Sequence, residues 1–219
     1  MATNSTFLTP ELNDYVVSLF SSEDAFLRTL SVEAEQAGIP AISIAPEQTS
    51  FLQVLLRSMR ATSVVEIGSL AGYSAITMAR ALPSNGSMLC CELQPEWAAF
   101  IRRKAHEAGL ADVITVADGP ALATIRSLPP DFMTDAVFID ADKPNYVAYV
   151  EAMLPHLRSG GIIIGDNALA WGEVANEQTT FEPENVAGIR AFNAYMAALP
   201  DLQCTLVPLG DGMTIGVKR

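Results

Sequence analysis

Apolar residues recur at helical spacing through the first sixty positions of the chain, and this pattern predicts three helices. The first begins at Pro10, with Thr9 as its N-cap and proline at the first helical position. The second begins near Ser22 and ends at Gly38, a residue suited to terminating a helix. The third follows Pro46 and carries an apolar stripe opposite polar residues. We therefore expect the chain to begin with a helical segment.

The pattern changes at residue 61, where short apolar runs of strand length begin to alternate with helical stretches. The strand-like runs include SVVEIG, SMLCCEL, TDAVFIDAD and GGIIIGDN. This alternation predicts a mostly parallel sheet with helices on both faces. Only the turn at residues 210–212 separates the last two runs, so we expect them to form an antiparallel hairpin. The predicted fold is α/β, with a mostly parallel seven-stranded Rossmann-like sheet closed by an antiparallel C-terminal hairpin.

No linker separates the helical segment from the alternating segment, so we expect one domain of 219 residues. Residues 1–60 form its helical appendage and residues 61–219 its core. The apolar runs are far shorter than the roughly 20 residues needed to span a bilayer. The N-terminus also lacks the basic start and apolar stretch of a signal peptide. These features predict a cytoplasmic protein.

The net charge of −12 disfavours a broad nucleic-acid-binding surface, because contacts with phosphates require clustered lysine and arginine. The basic run from Arg102 to Lys104 is expected on the solvated face of a helix. The three cysteines, Cys90, Cys91 and Cys204, lack the spacing of metal ligands. We expect them to be buried, reduced thiols.

Ligands of an open parallel sheet bind beyond the carboxyl ends of its strands, and several polar residues follow predicted strands here. After the first strand, Gly68 and Gly72 allow the backbone to turn close to a ligand, and Ser74 adds a hydroxyl group. Glu92 ends the second strand, where an acid can accept hydrogen bonds from both hydroxyls of an adenosine ribose. The alternative for the two glycines is an ordinary tight turn, and the alternative for Glu92 is a plain exposed acid.

A second group of polar residues follows the fourth and fifth predicted strands. Asp140 ends the fourth strand, and Asp166 and Asn167 end the fifth. They supply only oxygen ligands, which a hard divalent cation such as Mg²⁺ prefers. The alternative is an acidic cap on the strand ends that is neutralised by Lys143, whose own role is then a salt bridge.

At this point the chain resembles the cation-dependent O-methyltransferases, which include catechol and caffeoyl-coenzyme A O-methyltransferases. The motifs that carry the resemblance are VEIGSLAGYS, the acid of CCEL, DGPAL, FIDADKPNY, GGIIIGDN and LVPLGDGMTIGVKR. They cover roughly residues 40–219, and the sequence FIDADKxNY followed 26 positions later by DN is highly specific. The resemblance implies the fold of a class I S-adenosylmethionine-dependent methyltransferase. It also implies a homodimer and a divalent cation, Mg²⁺ or alternatively Ca²⁺ or Mn²⁺.

The resemblance also implies roles for individual residues. Asp140, Asp166 and Asn167 match the metal ligands, and Lys143 matches the proposed general base. Contacts with S-adenosylmethionine are implied for Ile44, Glu66, Gly68, Ser69, Ser74, Glu92, Ala121 and Asp142. Among these, Glu92 matches the acid that binds the ribose. Substrate contacts are expected at Asp140 and Trp171.

Two positions depart from the family pattern. Trp171 lies one position later than the tryptophan of many relatives. At this later position, plant relatives carry a substrate-binding asparagine. Before the third helix, Thr49 replaces a common glycine. Both positions are expected near the substrate entrance, so the identity of the acceptor stays open. Trp171 either packs on an aromatic substrate or serves the structure of its loop.

The expected reaction transfers a methyl group from S-adenosylmethionine to a hydroxyl of an aromatic vicinal diol, such as a catechol, a flavonoid or a caffeoyl compound. Two adjacent hydroxyls chelate the metal, and Lys143 removes a proton. A nicotinamide-dependent dehydrogenase is an alternative, although it leaves Asp140, Asp166 and Asn167 without a role. Further alternatives are a non-catalytic cofactor-binding protein and a tRNA hydroxyuridine O-methyltransferase, which the acidic charge disfavours.

Overall fold

The computed structural model describes residues 8–21 and 23–219 of the chain. It contains the three predicted N-terminal helices: α1 (Pro10–Phe20), α2 (Ala25–Gln36) and α3 (Pro46–Ser58). The side chain of Thr9 accepts a hydrogen bond from the backbone N–H of Leu12, which confirms the predicted N-cap. The cap of α2 is Asp24, and Ser22, its predicted start, lies outside the described residues.

The described chain forms one seven-stranded sheet with helices between the strands. The strands are β1 (Ser63–Ile67), β2 (Ser87–Glu92), β3 (Ile114–Asp118), β4 (Thr134–Ile139), β5 (Leu157–Gly165), β6 (Leu202–Val207) and β7 (Met213–Lys218). The helices are α4 (Tyr73–Ala79), α5 (Pro95–Glu107), α6 (Ala121–Arg126), α7 (Tyr146–Met153) and α8 (Pro183–Ala198). The strand order is β3-β2-β1-β4-β5-β7-β6, with β1 to β5 parallel and β7 antiparallel to both its neighbours. The predicted fold and its closing hairpin are thereby confirmed.

The parallel ladder continues one residue beyond the central strands and places their carboxyl ends side by side. The backbone N–H of Asp140 donates to the carbonyl of Ile67 at 2.9 Å. The N–H of Asp166 donates in the same way to the carbonyl of Ile139 at 3.0 Å. Residues that follow β1, β4 and β5 in the sequence therefore meet at one edge of the sheet.

Alternating strand residues bury two hydrophobic clusters, one on each face of the sheet. Val64 and Phe138 face the cluster that includes buried side chains of α2 to α5. Val65 and Val137 face the cluster formed with α6, α7 and α8. Because both faces are covered, the strands consist largely of apolar residues.

Two details of the fold concern residues away from the site: the end of α7 and the burial of Lys104. Helix α7 ends at Met153, and Arg158 already lies in β5. Pro155 follows in a short 3₁₀ turn, because proline lacks the N–H that an α-helix needs. The expectation for Arg102 to Lys104 was wrong at Lys104, which is 2% exposed and contacts Glu33 and Glu107.

The cysteine prediction is confirmed for two of the three residues. All three cysteines are free thiols, and Cys90 and Cys91 are buried between the layers. Cys204, on the edge strand β6, is only half-buried. No helix among the described residues is both long and apolar enough to cross a membrane.

Candidate functional site

The loop between β1 and α4 is a tight turn built on left-handed backbone. Gly68, Leu70 and Gly72 have φ angles of 86°, 50° and 80°. A Cβ atom at Gly68 would lie 2.2 Å from the carbonyl oxygen of Asp140, so a larger residue does not fit. The glycine thus lets the end of β4 pack directly against the turn.

Two buried oxygen atoms beside this turn make no hydrogen bond of standard geometry within the described chain. Glu66 is fully buried, and its Oε1 accepts a hydrogen bond from Ser74 at 2.6 Å. These atoms are its Oε2 and the Oγ of Ser69. Burial raises the pKa of Glu66 to about 7, although the Ser69 hydroxyl is close enough to the carboxyl group to offset part of this rise. An ammonium group, such as that of S-adenosylmethionine, fits this arrangement because it would supply both donors and positive charge.

Glu92 lies beside the same turn at the end of β2. Its two carboxylate oxygens accept hydrogen bonds from the backbone N–H groups of Leu70 at 2.8 Å and Gln94 at 2.9 Å. Glu92 is 5% exposed, so the carboxylate is held in one position. Each carboxylate oxygen has a second lone pair, and the side chain can therefore accept further hydrogen bonds from a ribose diol.

The other predicted cofactor contacts occupy segments around this turn. Ile44 is buried immediately before α3, and Ala121 is half-buried at the start of α6. The N–H of Gly119 donates to the carbonyl of Glu92, which brings the loop after β3 close to β2. Asp142 accepts a hydrogen bond from the hydroxyl of Tyr149 at 2.5 Å. The structure thus gives Asp142 a local partner on α7.

The predicted metal ligands lie together at the ends of β4 and β5. Asp166 is 3% exposed, and burial together with the charge of Asp140 raises its pKa to about 7. Asn167 follows with a left-handed φ of 55°. In the described part of the chain, no group of three histidine, cysteine, aspartate or glutamate residues could hold a metal ion. The predicted set has two carboxylates and one amide, and a divalent cation there would offset the repulsion between the carboxylates.

Lys143 is nearly buried and bridges this cluster to α7. Its Nζ donates hydrogen bonds to Oδ1 of Asp140 at 2.9 Å and to the hydroxyl of Tyr146 at 2.8 Å. A Cβ atom at Gly188 would lie 2.6 Å from the Lys143 carbonyl oxygen, so this glycine allows α8 to pack closely. The contact between Lys143 and Asp140 is the salt bridge that the alternative interpretation predicts. A neutral amine, which has two N–H donors and one lone pair, could donate the same two hydrogen bonds and keep its lone pair for a proton.

Trp171 stands at the rim of the cluster, in the loop between β5 and α8. It is 46% exposed, and its ring meets the edge of the Phe181 ring at 5.4 Å between centroids. Its backbone N–H donates to the carboxylate of Asp211 in the β6–β7 turn at 2.9 Å. The position expected for Thr49, before the third helix, was wrong: this residue is fully buried within the first turn of α3, and its hydroxyl donates to the carbonyl of Pro46.

Sequence reasoning missed four residues that support this site: Gln48, Tyr146, Gly188 and Asp211. Tyr146 follows Lys143 by three positions in the FIDADKPNY motif, and this spacing places both residues at one end of α7. Asp211 had been interpreted only as part of a turn. Gln48 donates a hydrogen bond to Asp166 over 2.7 Å. No local pattern marks Gln48 or Gly188, since their partners lie far away in the sequence.

Comparisons with known proteins agree with this geometry. The chain matches a family model described as O-methyltransferase over residues 18–219. It is 36% identical to a catechol O-methyltransferase of Niastella koreensis, with 95% of this chain and 96% of the relative covered. A catechol O-methyltransferase of Mycobacterium tuberculosis is 33% identical, with 95% and 91% covered. The structure of the O-methyltransferase from Bacillus cereus in complex with SAH has a TM-score of 0.88 at 33% identity, covering 95% of this chain and 97% of the other.

Proposed function

The chain belongs to the O-methyltransferase family, as an S-adenosylmethionine-dependent enzyme of the catechol and caffeoyl-coenzyme A type, and on this premise we propose that it methylates an aromatic vicinal diol with a divalent cation. The family membership confirms the resemblance found in the sequence. It removes the dehydrogenase and the non-catalytic protein from consideration. The metal, the acceptor and the individual residue roles are part of the proposal.

One observation carries the proposal: Asp140, a member of the acidic cluster and the partner of Lys143, packs directly against the glycine turn. The Asp140 carbonyl approaches Gly68 so closely that a Cβ atom there would overlap it. A cofactor cradled by the turn and an acceptor held at the cluster would therefore be neighbours. Such proximity and orientation account for a large part of the catalysis of a group transfer.

Asp140, Asp166 and Asn167 would hold the cation. A divalent cation at this position supplies positive charge that favours the deprotonated form of a neighbouring hydroxyl, and S-adenosylmethionine supplies the methyl group. The two carboxylates provide a charge of minus two, which matches a divalent ion. Asp166 is buried and Asp140 is partly buried, and the lower dielectric constant of such a site strengthens this interaction.

Lys143 would accept the proton of the attacking hydroxyl at Nζ. Asp140 and Tyr146 accept its two hydrogen bonds and thereby fix the remaining direction of the amine. A neutral Nζ held in this way directs its lone pair away from both acceptors. Proton transfer then needs no rearrangement of the side chain.

The remaining residues would bind and orient the two substrates. Glu66 and Ser69 would receive the ammonium group of the cofactor, and Glu92 the ribose hydroxyls. Trp171 and Phe181 present exposed aromatic surface beside the cluster, against which an aromatic acceptor would pack. This surface supports an aromatic diol as the acceptor.

We also propose a homodimer in the cytoplasm. Exposed apolar residues on α1, including Tyr15, Leu19 and Phe20, support self-association because exposed apolar patches commonly mark interfaces. Light scattering of the purified protein would test the dimer, and a monomeric mass at micromolar concentration would refute it.

The acceptor is tested by comparing a catechol with its two monohydroxy analogues at saturating S-adenosylmethionine and Mg²⁺. We expect the catechol to have much the highest kcat/KM, because a single hydroxyl cannot chelate a cation and loses its orientation. EDTA should abolish activity and added Mg²⁺ should restore it. Equal kcat/KM for the three compounds would refute the chelation, and a hydroxyuridine-containing tRNA as a better acceptor would favour the alternative substrate.

A further inference from the structure

Gln48, which is outside the predicted ligand set, makes a buried hydrogen bond to Asp166. Its Nε2 donates to Oδ1 of Asp166 over 2.7 Å, and the two residues are 118 positions apart in the sequence. Gln48 is 3% exposed, as is Asp166. Because the carboxylate oxygen is charged, this hydrogen bond is stronger than one between neutral groups and restricts rotation of the carboxylate.

A second contact sets the orientation of the Gln48 amide. Its Oε1 accepts a hydrogen bond from the backbone N–H of Ala45 at 3.0 Å. Because this oxygen faces an N–H donor, the NH₂ group of the amide is the end that faces Asp166. The side chain therefore presents a donor to the carboxylate, and it does so from a position fixed by the first turn of α3.

The β6–β7 turn packs directly on this amide. A Cβ atom at Gly210 would lie 2.3 Å from Oε1 of Gln48, so only glycine allows the approach. The next residue, Asp211, accepts a hydrogen bond from Nδ2 of Asn167 at 3.4 Å. The turn thus confines Gln48 and contacts the residue that follows Asp166.

We propose that Gln48 is a positioning residue that holds Oδ1 of Asp166, so that the other carboxylate oxygen is available to the cation. This role rests on the proposed metal-dependent function. Hydrogen bonds from neighbouring groups orient metal ligands, and losing one typically weakens metal binding about 10- to 100-fold. The same amide caps the N–H of Ala45, next to the predicted cofactor contact Ile44. Gln48 therefore connects the metal-binding and cofactor-binding segments.

The test replaces Gln48 by a side chain of similar length that cannot donate or accept a strong hydrogen bond. The variant is Gln48→Met, and its control is Gln53→Met on the same helix. Gln53 Nε2 donates to the carbonyl of Thr77 at 2.8 Å, away from the acidic cluster. Binding of Mn²⁺ to the full chain is measured by electron paramagnetic resonance without cofactor or acceptor, together with the thermal midpoint.

We expect Gln48→Met to bind Mn²⁺ at least about tenfold more weakly than the native chain, and Gln53→Met to bind it normally. The kcat of Gln48→Met should recover at high Mg²⁺ concentration, which a general loss of structure would not allow. If Gln48→Met does not fold, the same weakening is expected of Gln48→Asn, whose amide is one methylene too short to reach Asp166.

Three outcomes would overturn the role of Gln48 in different ways. Unchanged Mn²⁺ affinity in the Gln48 variant, with tight binding to the native chain, refutes the positioning role and leaves the proposed function intact. Equal weakening in both variants indicates a general effect of α3 and also refutes it. If the native chain binds no Mn²⁺ and transfers methyl groups in EDTA, the metal-dependent function fails as well.

Discussion

The cofactor half and the metal half of the site differ in how far along the chain their supporting contacts extend. In the cofactor half, Glu66 accepts a hydrogen bond from Ser74, eight positions away. Glu92 accepts hydrogen bonds from Leu70 and Gln94, which are 22 and two positions away. One strand, its glycine turn and the neighbouring strand therefore suffice to hold the carboxylates of Glu66 and Glu92.

The metal half depends on segments from the whole length of the chain. Gln48 contacts Asp166 across 118 positions, and Asp211 contacts Asn167 across 44. Gly188 on α8 packs against the backbone of Lys143. The carboxylates of Glu66 and Glu92 are thus held by donors within 22 positions, and Asp166 and Asn167 depend on more distant segments. Asp140 is held locally, by Lys143 three positions away. Mutations in the two halves should accordingly have different effects.

The largest effect is expected in the metal half, for Asp140→Ala. The change removes a proposed ligand and half of the charge that would balance the cation. The kcat should therefore fall by more than about 100-fold, a larger loss than is usual when a residue that only supports a metal ligand is replaced. Affinity for S-adenosylmethionine, measured by calorimetry, should largely survive. Asp131→Ala, at an exposed acid in the loop before β4, is the control. A variant at Asp140 with normal turnover would show that the cluster is only a structural cap.

Replacing Lys143 should lower the rate of catalysis and leave the stability of the fold nearly unchanged. Loss of a general base typically reduces kcat by about 10²-fold or more, so Lys143→Ala should do this with little change in melting temperature. Lys104, the other buried lysine among the described residues, has ion-pair partners on α2 and α5. Lys104→Ala should lower the melting temperature and leave kcat unchanged. The opposite pattern for Lys143 would support the salt bridge as its whole role.

In the cofactor half, Glu92→Ala should weaken binding rather than turnover. Two charge-assisted hydrogen bonds to a ribose diol are worth roughly 2–4 kcal/mol together, so affinity for S-adenosylmethionine should fall at least about tenfold by calorimetry. Glu96→Ala, at an exposed acid in the first turn of α5, should bind the cofactor normally. Unchanged affinity after the Glu92 substitution would exclude ribose binding by this residue.

The smallest effect concerns the stability of the cofactor half, through Glu66. Burial raises the pKa of Glu66 from 4.5 to about 7. Between pH 4.5 and about pH 7, Glu66 is ionised in the unfolded chain but still protonated in the folded chain. The contribution of Glu66 to stability therefore falls as the pH rises through this range, and the loss is complete above about pH 7. Glu66→Gln should therefore gain melting temperature relative to the native chain, by more at pH 8 than at pH 5. The variant should also bind S-adenosylmethionine less tightly. An equal gain in melting temperature at both pH values would contradict the raised pKa of Glu66 in the folded chain.

The amino-acid sequence alone determined the sheet and the place of the site within it. Alternation of strands and helices predicted the parallel layers, and the turn at residues 210–212 predicted the hairpin. Asp140 and Asp166 could be expected together because parallel strands end at one edge, where the backbone ladder now joins them. Gly68 was predicted from its position in the turn, since close backbone approach is a local requirement.

Only the tertiary structure decided what holds these residues in place. Gln48 has the sequence context of an ordinary residue in the first turn of a helix, and its partner Asp166 belongs to another layer of the fold. Lys104 was misplaced for the same reason, because its burial depends on neighbours such as Glu33 that are distant in sequence. Local patterns report backbone geometry and the direction of apolar faces. The pairing of buried polar groups depends on how whole elements pack, and it is settled only when they meet.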